Sequence, residues 1–550
     1  MGVGGAPPVS KGEDFSPVRQ RLSEKVCGPQ ERAAQGLQGR LQGAPVLGHG
    51  AAFRFEDPFH QIGHANLRGP IILVPVERLG PIVATTALPT VRGQVEAARA
   101  ALASGADRAE VRLDLLAPGE DPEGLLALAG EVPLLVTGSR SRPAPGEVER
   151  FRRAQARGAW VDVPLFEDLP EDLFGLAPSR LVLSWHAPED GPSDLGAAFA
   201  ALSSRPAAVR KVVGTARDFG DNLAVRRLLA ERGGAGDLCA FAMGLPGQMS
   251  RILSLAWGSC ALYASAPGCP PAAPGQIPLA EALGLYRCRE IGPRTPLLGV
   301  AGWPLARTGS PALHNRWLKA ADLPHRFLPI PASSLDALLE AAPGLFIEGL
   351  AVTHPHKAAA LARAAGASRL ARAAGAANTL RLLDGPGWSA ANTDVYGVRR
   401  ALAGTGRPGR VLLLGAGGAA AAVALALRGR GPVAVASRDP ARARSLASRL
   451  GLEAVPWGDR RRTPWDLLVN ATPSGQEGEE TPYPFPLTGR TVFDLVVREG
   501  GTPLLREARA RGLRAVPGEA MLEAQARLQF RLLTGRRPPI LDGLSVPRRE

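Results

Sequence analysis

The chain has 550 residues, room for three or four domains at about 150 residues each. Hydrophobic residues make up 45% and charged residues 21%, ordinary globular proportions that exclude disorder for most of the chain. The formal net charge is +14, yet only five of the 65 basic residues are lysines: Lys11, Lys25, Lys211, Lys319 and Lys357. The other 60 are arginines, and 65 Gly and 51 Pro accompany them, which reads as a coding bias toward Arg, Ala, Gly and Pro. A position that keeps lysine under that bias is a candidate for amine chemistry. Nucleic-acid binders concentrate basic residues in one patch with aromatic stacking partners. Here arginine is spread along the chain, acids interleave it and aromatics are 5%, so a solvated surface is expected and nucleic-acid binding is not.

Five cysteines form no C-x-x-C pair and no metal-ligand spacing, so neither a disulfide framework nor a metal site is expected. No apolar run reaches membrane-spanning length, and the N-terminus lacks the apolar segment of a signal peptide. A cytoplasmic protein is expected.

Residues 1–78 show no sustained periodicity and read as a disordered extension. From residue 81, short apolar runs alternate with helical stretches. Strands are predicted near 82–87, 109–113, 132–137, 160–163, 181–184, 209–213, 238–243 and 258–264, with an Ala-rich helix over 91–104. That alternation over about 200 residues predicts a (β/α)8 barrel, with a doubly wound sheet as the alternative. A Pro/Gly-rich break follows at 267–277. Alternation then restarts, with a strand at 296–301, a helix from 311, and strands at 351–353 and 411–414.

Val411-Leu-Leu-Leu-Gly415-Ala-Gly417-Gly-Ala-Ala420 is a strand entering G-x-G-x-x-A, followed by an Ala/Leu helix. Gly415 permits the tight turn, Gly417 lets backbone approach a pyrophosphate, and Ala420 allows close packing. Ala416, Gly418 and Ala419 complete the predicted cofactor loop. The next strand ends in Ser437-Arg438-Asp439, with Arg442 one helical turn on. An arginine here suits the 2′-phosphate of NADP, while Asp439 leaves room for NAD.

Upstream lie Thr308-Gly-Ser310-Pro-Ala-Leu-His314-Asn315, Val352-Thr353-His-Pro-His-Lys357, Gly375-Ala-Ala-Asn378-Thr379 and Asn392-Thr393-Asp394-Val-Tyr-Gly397. Asn470-Ala-Thr472-Pro-Ser-Gly475 and Met521-Leu-Glu-Ala-Gln525 follow. In this order the six motifs resemble shikimate dehydrogenase over 296–540. The resemblance implies a substrate-binding α/β domain at 294–398, a returning C-terminal helix at 519–545, and a Rossmann NADP-binding domain at 399–518. It implies Thr308 and Ser310 on the substrate carboxylate, and Thr353, Asn378 and Gln525 on ring hydroxyls. Lys357 and Asp394 become the catalytic pair, and Asn470 and Thr472 join the cofactor site. This sequence departs from the family pattern at Thr308 (usually Ser), Ala351 (usually Asn) and Val497 (often Tyr).

In the first half, Glu110-Val-Arg112-Leu-Asp114 alternates charged and apolar residues, which predicts three charges on one strand face. Lys211 sits among apolar residues of another strand, and desolvation there predicts a lowered pKa and a nucleophilic amine. His186 ends a third strand. The set resembles type I 3-dehydroquinate dehydratase over 81–285, together with Met243-Gly-Leu-Pro-Gly247-Gln-Met-Ser250-Arg251 and Ala272-Ala-Pro274-Gly275-Gln276. The resemblance implies a barrel at 79–290 and imine formation at Lys211. His186 becomes the general acid/base, tuned by Glu110. Arg251 would hold the carboxylate, and Arg112, Arg140 and Gln276 other substrate groups. Arg142 competes with Arg140 in register, and Ala272 stands where the family has Ser. The two resemblances imply one chain that dehydrates 3-dehydroquinate and reduces the product, 3-dehydroshikimate. A dehydrogenase on quinate or shikimate beside a degenerate barrel, and a different lysine-dependent lyase or aldolase, are the alternatives.

Overall fold

The computed structural model describes residues 78–139, 145–165, 175–188, 194–232, 235–305 and 308–541. The expected extension up to residue 77, and both Arg140 and Arg142, lie outside the described residues.

Eight strands alternate with helices in the first half: β1 (Ile82–Thr86), β2 (Arg108–Arg112), β3 (Leu134–Thr137), β4 (Trp160–Pro164), β5 (Leu181–His186), β6 (Val209–Thr215), β7 (Leu238–Met243) and β8 (Leu262–Ser265). Neighbours pair in parallel in the order β7-β6-β5-β4-β3-β2-β1-β8. At the β7/β8 seam the Cys260 N–H donates to the Leu238 carbonyl (2.8 Å), and the Ala240 N–H donates to Ser259 Oγ (3.2 Å). This is the expected (β/α)8 barrel. The two-residue period sorts its side chains: Leu135, Val182, Val209, Val213 and Phe241 fill the interior. Val111, Val136, Val161, Leu183 and Val212 face the surrounding helices. The first helix runs Val91–Ala103 and is capped by Thr90, whose side chain accepts from the Gly93 N–H.

Two more sheets follow. One holds β9 (Leu297–Gly302), β10 (Arg326–Pro331), β11 (Ile347–Val352), β12 (Gly366–Ala367), β13 (Thr379–Leu382) and β14 (Trp388–Ala391) in the order β10-β9-β11-β13-β14-β12. In it β13 runs antiparallel to β11 and β14. The other holds β15 (Val411–Leu414), β16 (Val433–Ala436), β17 (Glu453–Val455), β18 (Leu467–Asn470), β19 (Thr491–Asp494) and β20 (Arg514–Val516). These pair in parallel in the order β17-β16-β15-β18-β19-β20. Strand order reverses between β15 and β18, the crevice where such sheets take a dinucleotide.

A helix at Gly518–Thr534 returns to the middle sheet, where Gln529 Nε2 donates to the Asn378 carbonyl (2.9 Å) and to Thr379 Oγ1 (3.0 Å). It stops short of the expected residue 545, because Gly535 takes the left-handed conformation (φ +71°) and Pro538-Pro539 follow. The barrel and the middle sheet share one apolar core: Phe219, Ile252 and Leu253 pack in the same cluster as Ile330, Ala332, Leu335 and Leu345.

Candidate active sites

Lys211, His186 and Glu110 line one cavity in the barrel, together with Arg112, Arg251 and Gln276. Strands deliver Glu110, Arg112, His186 and Lys211, while Arg251 comes from the helix Gln248–Leu253 after β7 and Gln276 from the loop after β8. Lys211 is 5% exposed, and its Nζ donates to Asp162 Oδ2 at 2.7 Å. The amine also lies 4.2 Å from the centre of the Tyr263 ring.

The expectation of a lowered lysine pKa is corrected here. Burial does push the Lys211 pKa down, but the charges of Asp162 and Glu110 outweigh it, and the amine is held above its ordinary value. Lys211 is thus an ion-paired ammonium rather than a free amine. Asp162, on β4, was missed in the sequence, although Val161-Asp162-Val163 carries an acid inside a strand-like run.

The three-charge strand face is also corrected. β2 ends at Arg112, and Leu113–Leu115 form a 3-10 turn. Asp114 curls back from that turn and accepts from Arg112 Nε (2.8 Å) and Nη2 (2.6 Å). Burial opposes the Arg112 charge, but Asp114, Glu110 and Asp162 outweigh it and raise the pKa. Glu110 accepts from Thr85 Oγ1 (2.6 Å) and Thr137 Oγ1 (2.8 Å), a threonine clamp that the sequence pattern does not announce. Gln276 Nε2 donates to Thr85 Oγ1 (3.1 Å), and Gln276 Oε1 accepts from the Ala272 N–H (2.7 Å), so Gln276 ties the segment after β8 to β1. Ala272 itself lines the cavity.

Arg251 is 3% exposed, lies 4.6 Å from the Phe241 ring centre, and has its pKa lowered by burial to about 10. Nη2 has a 3.4 Å contact with the Pro274 carbonyl, while Nε is buried without a partner among the described residues. A buried guanidinium with spare donors suits a carboxylate ligand.

In the second half, Lys357 opens the helix Lys357–Ala362 after β11, and Asp394 opens Asp394–Ala401 after β14. Lys357 Nζ donates to Asp394 Oδ2 at 2.6 Å, and Asn378 Nδ2 donates to Asp394 Oδ1 at 2.8 Å. Gln525, from the returning helix, accepts at Oε1 from Thr393 Oγ1 (2.9 Å) and Asn378 Nδ2 (3.2 Å). Four of the expected residues therefore meet in one network, joined by Thr393. Thr353 follows β11, and a Cβ placed on Gly302 would fall 2.4 Å from its methyl group. Thr308 Oγ1 accepts from the Ser310 N–H (3.3 Å) at the start of the helix Ser310–Ala320. Val497 is 39% exposed.

The residues at the β15–β18 crevice fit an NADP molecule. Gly415 has φ +108°, and a Cβ there would lie 2.8 Å from the Ala471 carbonyl oxygen. A Cβ on Gly417 would meet nothing within 4 Å, which leaves a ligand room at the helix N-terminus. Ala416 continues the turn, the helix begins at Gly418, and Ala419 lies in its first turn. A Cβ on Gly418 would be 3.3 Å from Lys357 Cδ, so Lys357 packs against the dinucleotide loop. The Asp439 carboxylate caps its own helix through the Ala441 and Arg442 N–H groups and pairs with Arg442 Nε at 3.2 Å. With the acid so engaged, exposed Arg438 and Arg442 set the charge beyond Ser437, which favours a 2′-phosphate. Asn470 spends its amide inside the protein: Nδ2 donates to Asp494 Oδ1 (2.8 Å), and Oδ1 accepts from the Thr472 N–H (2.9 Å). Asn470 and Thr472 thus shape the turn facing Gly415.

A buried lysine–aspartate pair in a parallel barrel and a partly buried one beside a dinucleotide loop define a two-centre enzyme, a lyase joined to an oxidoreductase. The family model for type I 3-dehydroquinase matches residues 82–293, and that for the shikimate dehydrogenase substrate binding domain matches 300–380. The chain is 30% identical over 473 residues to the chloroplastic bifunctional 3-dehydroquinate dehydratase/shikimate dehydrogenase of Arabidopsis thaliana, covering 78% of each chain. It is 36% identical over 256 residues to the shikimate dehydrogenase (NADP(+)) of Exiguobacterium sibiricum, 46% of this chain and 97% of that one. The structure of Thermus thermophilus shikimate 5-dehydrogenase with NADP(H) and shikimate shares 38% identity over 44% of this chain and 95% of that one, with a TM-score of 0.40. The chain belongs to the bifunctional 3-dehydroquinate dehydratase/shikimate dehydrogenase family.

Proposed function

We propose that the barrel dehydrates 3-dehydroquinate through an imine on Lys211, and that the second half reduces the product to shikimate with NADPH. The observation that carries this is the pair of lysine–carboxylate contacts, Lys211–Asp162 at 2.7 Å and Lys357–Asp394 at 2.6 Å, in a chain with five lysines.

In the barrel, Asp162 takes the ammonium proton as the substrate displaces water, and the freed amine attacks the ketone carbon. Loss of water leaves an iminium that acidifies the adjacent CH2. His186 removes that proton, then returns one to the departing hydroxyl. Arg251 holds the carboxylate, while Arg112 and Gln276 face the hydroxyls. Glu110, clamped by Thr85 and Thr137, supplies negative charge that steadies the cationic intermediate. Hydrolysis restores Lys211 and releases 3-dehydroshikimate.

In the second site, Thr308 and Ser310 take the carboxylate, and Thr353, Asn378 and Gln525 the ring hydroxyls. NADPH, when bound, supplies the hydride. Lys357 Nζ gives the proton to the oxygen that becomes a hydroxyl, and Asp394 with Asn378 holds the amine in line. Arg438 and Arg442 hold the 2′-phosphate.

The assignment gives domains at 79–290, 294–398 and 399–518, with small molecules as partners. Among the described residues four cysteines are free. No helix of the described residues is long and apolar enough to cross a membrane. A coupled assay tests the reading: 3-dehydroquinate plus NADPH yields shikimate, and Lys211→Ala abolishes this while 3-dehydroshikimate is still reduced. Failure of the intact chain to consume NADPH from 3-dehydroquinate would refute it.

A further inference from the structure

The two lysines assigned to catalysis lie on elements that a short polar bridge ties together. Lys211 is on β6, and the loop that follows carries Asp218. The Asp218 carboxylate crosses to the middle sheet. Its Oδ1 accepts from the Ser333 N–H (2.8 Å), and its Oδ2 accepts from Ser333 Oγ (2.5 Å). Oδ1 also accepts from the Phe219 N–H (2.7 Å), which fixes the carboxylate on the barrel side. The preceding residue, Ala332, is fully buried just after β10, and its N–H donates to the Gly302 carbonyl of β9 (3.1 Å). The Ala332 carbonyl is 2.7 Å from His356 Nε2, so that nitrogen carries the proton. His356 is 6% exposed and directly precedes the helix whose first residue is Lys357, its carbonyl accepting from the Ala360 N–H (2.8 Å).

We infer that Asp218, a barrel residue, is a positioning residue for the dehydrogenase reaction, acting through Ser333, Ala332 and His356 on Lys357. One side of the chain of contacts sets the other. Asp218 holds the Ala332–Ser333 corner, the corner's carbonyl fixes the His356 ring, and the ring fixes the turn that presents the Lys357 amine to Asp394. Small misplacements of a proton donor reach the rate, because general acid catalysis depends on the donor meeting the reacting oxygen at hydrogen-bond distance. The binding contacts at Thr308, Ser310 and the dinucleotide loop are made by other segments. The loss therefore falls on kcat rather than on cofactor KM. Asp218 is absent from the cavity around Lys211, so dehydration is spared.

The inference rests on Lys357 as proton donor, and Lys357→Ala is the control. In the full-length chain, shikimate oxidation with NADP+ and dehydration of 3-dehydroquinate are measured on each variant. Asp218→Ala is expected to lower dehydrogenase kcat about threefold to tenfold, with KM for NADP+ and dehydratase turnover within about twofold of the parent. Ser333→Ala, which keeps the backbone donor, gives a smaller loss in the same direction. His356→Ala lowers kcat, and His356→Gln, which retains a donor, recovers most of it. Because both act on one corner, Asp218→Ala with His356→Ala loses no more than about the larger single effect. An unchanged kcat in Asp218→Ala, multiplying losses in the double variant, or parallel loss of both activities overturns the inference while Lys357→Ala is dead. If Lys357→Ala still turns over, the role of Lys357 and the inference fall together.

Discussion

Asp494 ends β19 with no exposed surface, and its pKa is raised by burial to about 6 from an ordinary 3.8. Its hydrogen bonds from Thr502 Oγ1, the Val496 N–H and Asn470 Nδ2 work the other way, lowering the pKa without cancelling the burial. A carboxyl raised in the folded state favours folding while protonated. That contribution is present below about 3.8 and is lost as pH rises through about 6. At pH 7 the ionised group therefore costs about 3 kcal/mol relative to the unfolded chain. Asp494→Asn keeps the shape and the acceptor for Asn470 and Val496, and replaces the charge by an amide that can donate to Thr502. Subtracting about 1 kcal/mol for an imperfect new hydrogen bond leaves a gain of about 2 kcal/mol at pH 7. At pH 4 the parent is largely protonated when folded, and the advantage disappears. Thermal and urea unfolding of parent and variant at pH 4, 5.5 and 7 measures this. A stability difference that does not change with pH between 4 and 7 would refute the reasoning.

Lys357→Ala should lower dehydrogenase kcat by roughly 100-fold to 10,000-fold, in the range of a lost general acid, while dehydration stays near normal. Loss of both activities in a folded variant would contradict separate sites. Asp162→Asn removes the larger of the two charges that hold Lys211 above its ordinary value, leaving Glu110 alone against the downward pull of burial. Borohydride trapping of the 3-dehydroquinate imine should then set in at lower pH than in the parent, and an unmoved profile would count against the pair. Arg438→Ala should raise KM for NADP+ about tenfold, the equivalent of roughly 1.4 kcal/mol, and leave KM for NAD+ nearly unchanged. Equal effects on both cofactors would argue against a 2′-phosphate contact.

Much of the architecture was legible because the barrel strands are short apolar runs separated by helical stretches. β10 was not, since Arg326-Phe-Leu-Pro329-Ile-Pro331 carries two prolines. The structure puts that strand at the sheet edge, where a missing N–H donor is tolerated. Glu110, Lys211, Lys357 and Asp394 could be picked out as charges in apolar or motif settings. Their partners could not all be. Asp162 meets Lys211 across 49 residues of sequence, and the direction of the lysine's pKa depends on that pairing. Strand registration decides it, and no local pattern encodes registration between separate strands. Asp114 misled for a related reason: alternation continued in the sequence one turn beyond the point where the backbone left the strand.

The apolar core shared by the barrel and the middle sheet binds the fate of the two chemistries. Phe219, Ile252 and Leu253 would face water if the second half opened, as would Ile330, Leu335 and Leu345 if the barrel did. Neither half can be stripped away without uncovering a greasy surface on the other. A protease nick between them should leave two fragments that still cling together. Heat damage that begins in one half should propagate as joint inactivation. A cell that degrades the damaged chain loses both steps at once, so their supply stays in a fixed one-to-one ratio.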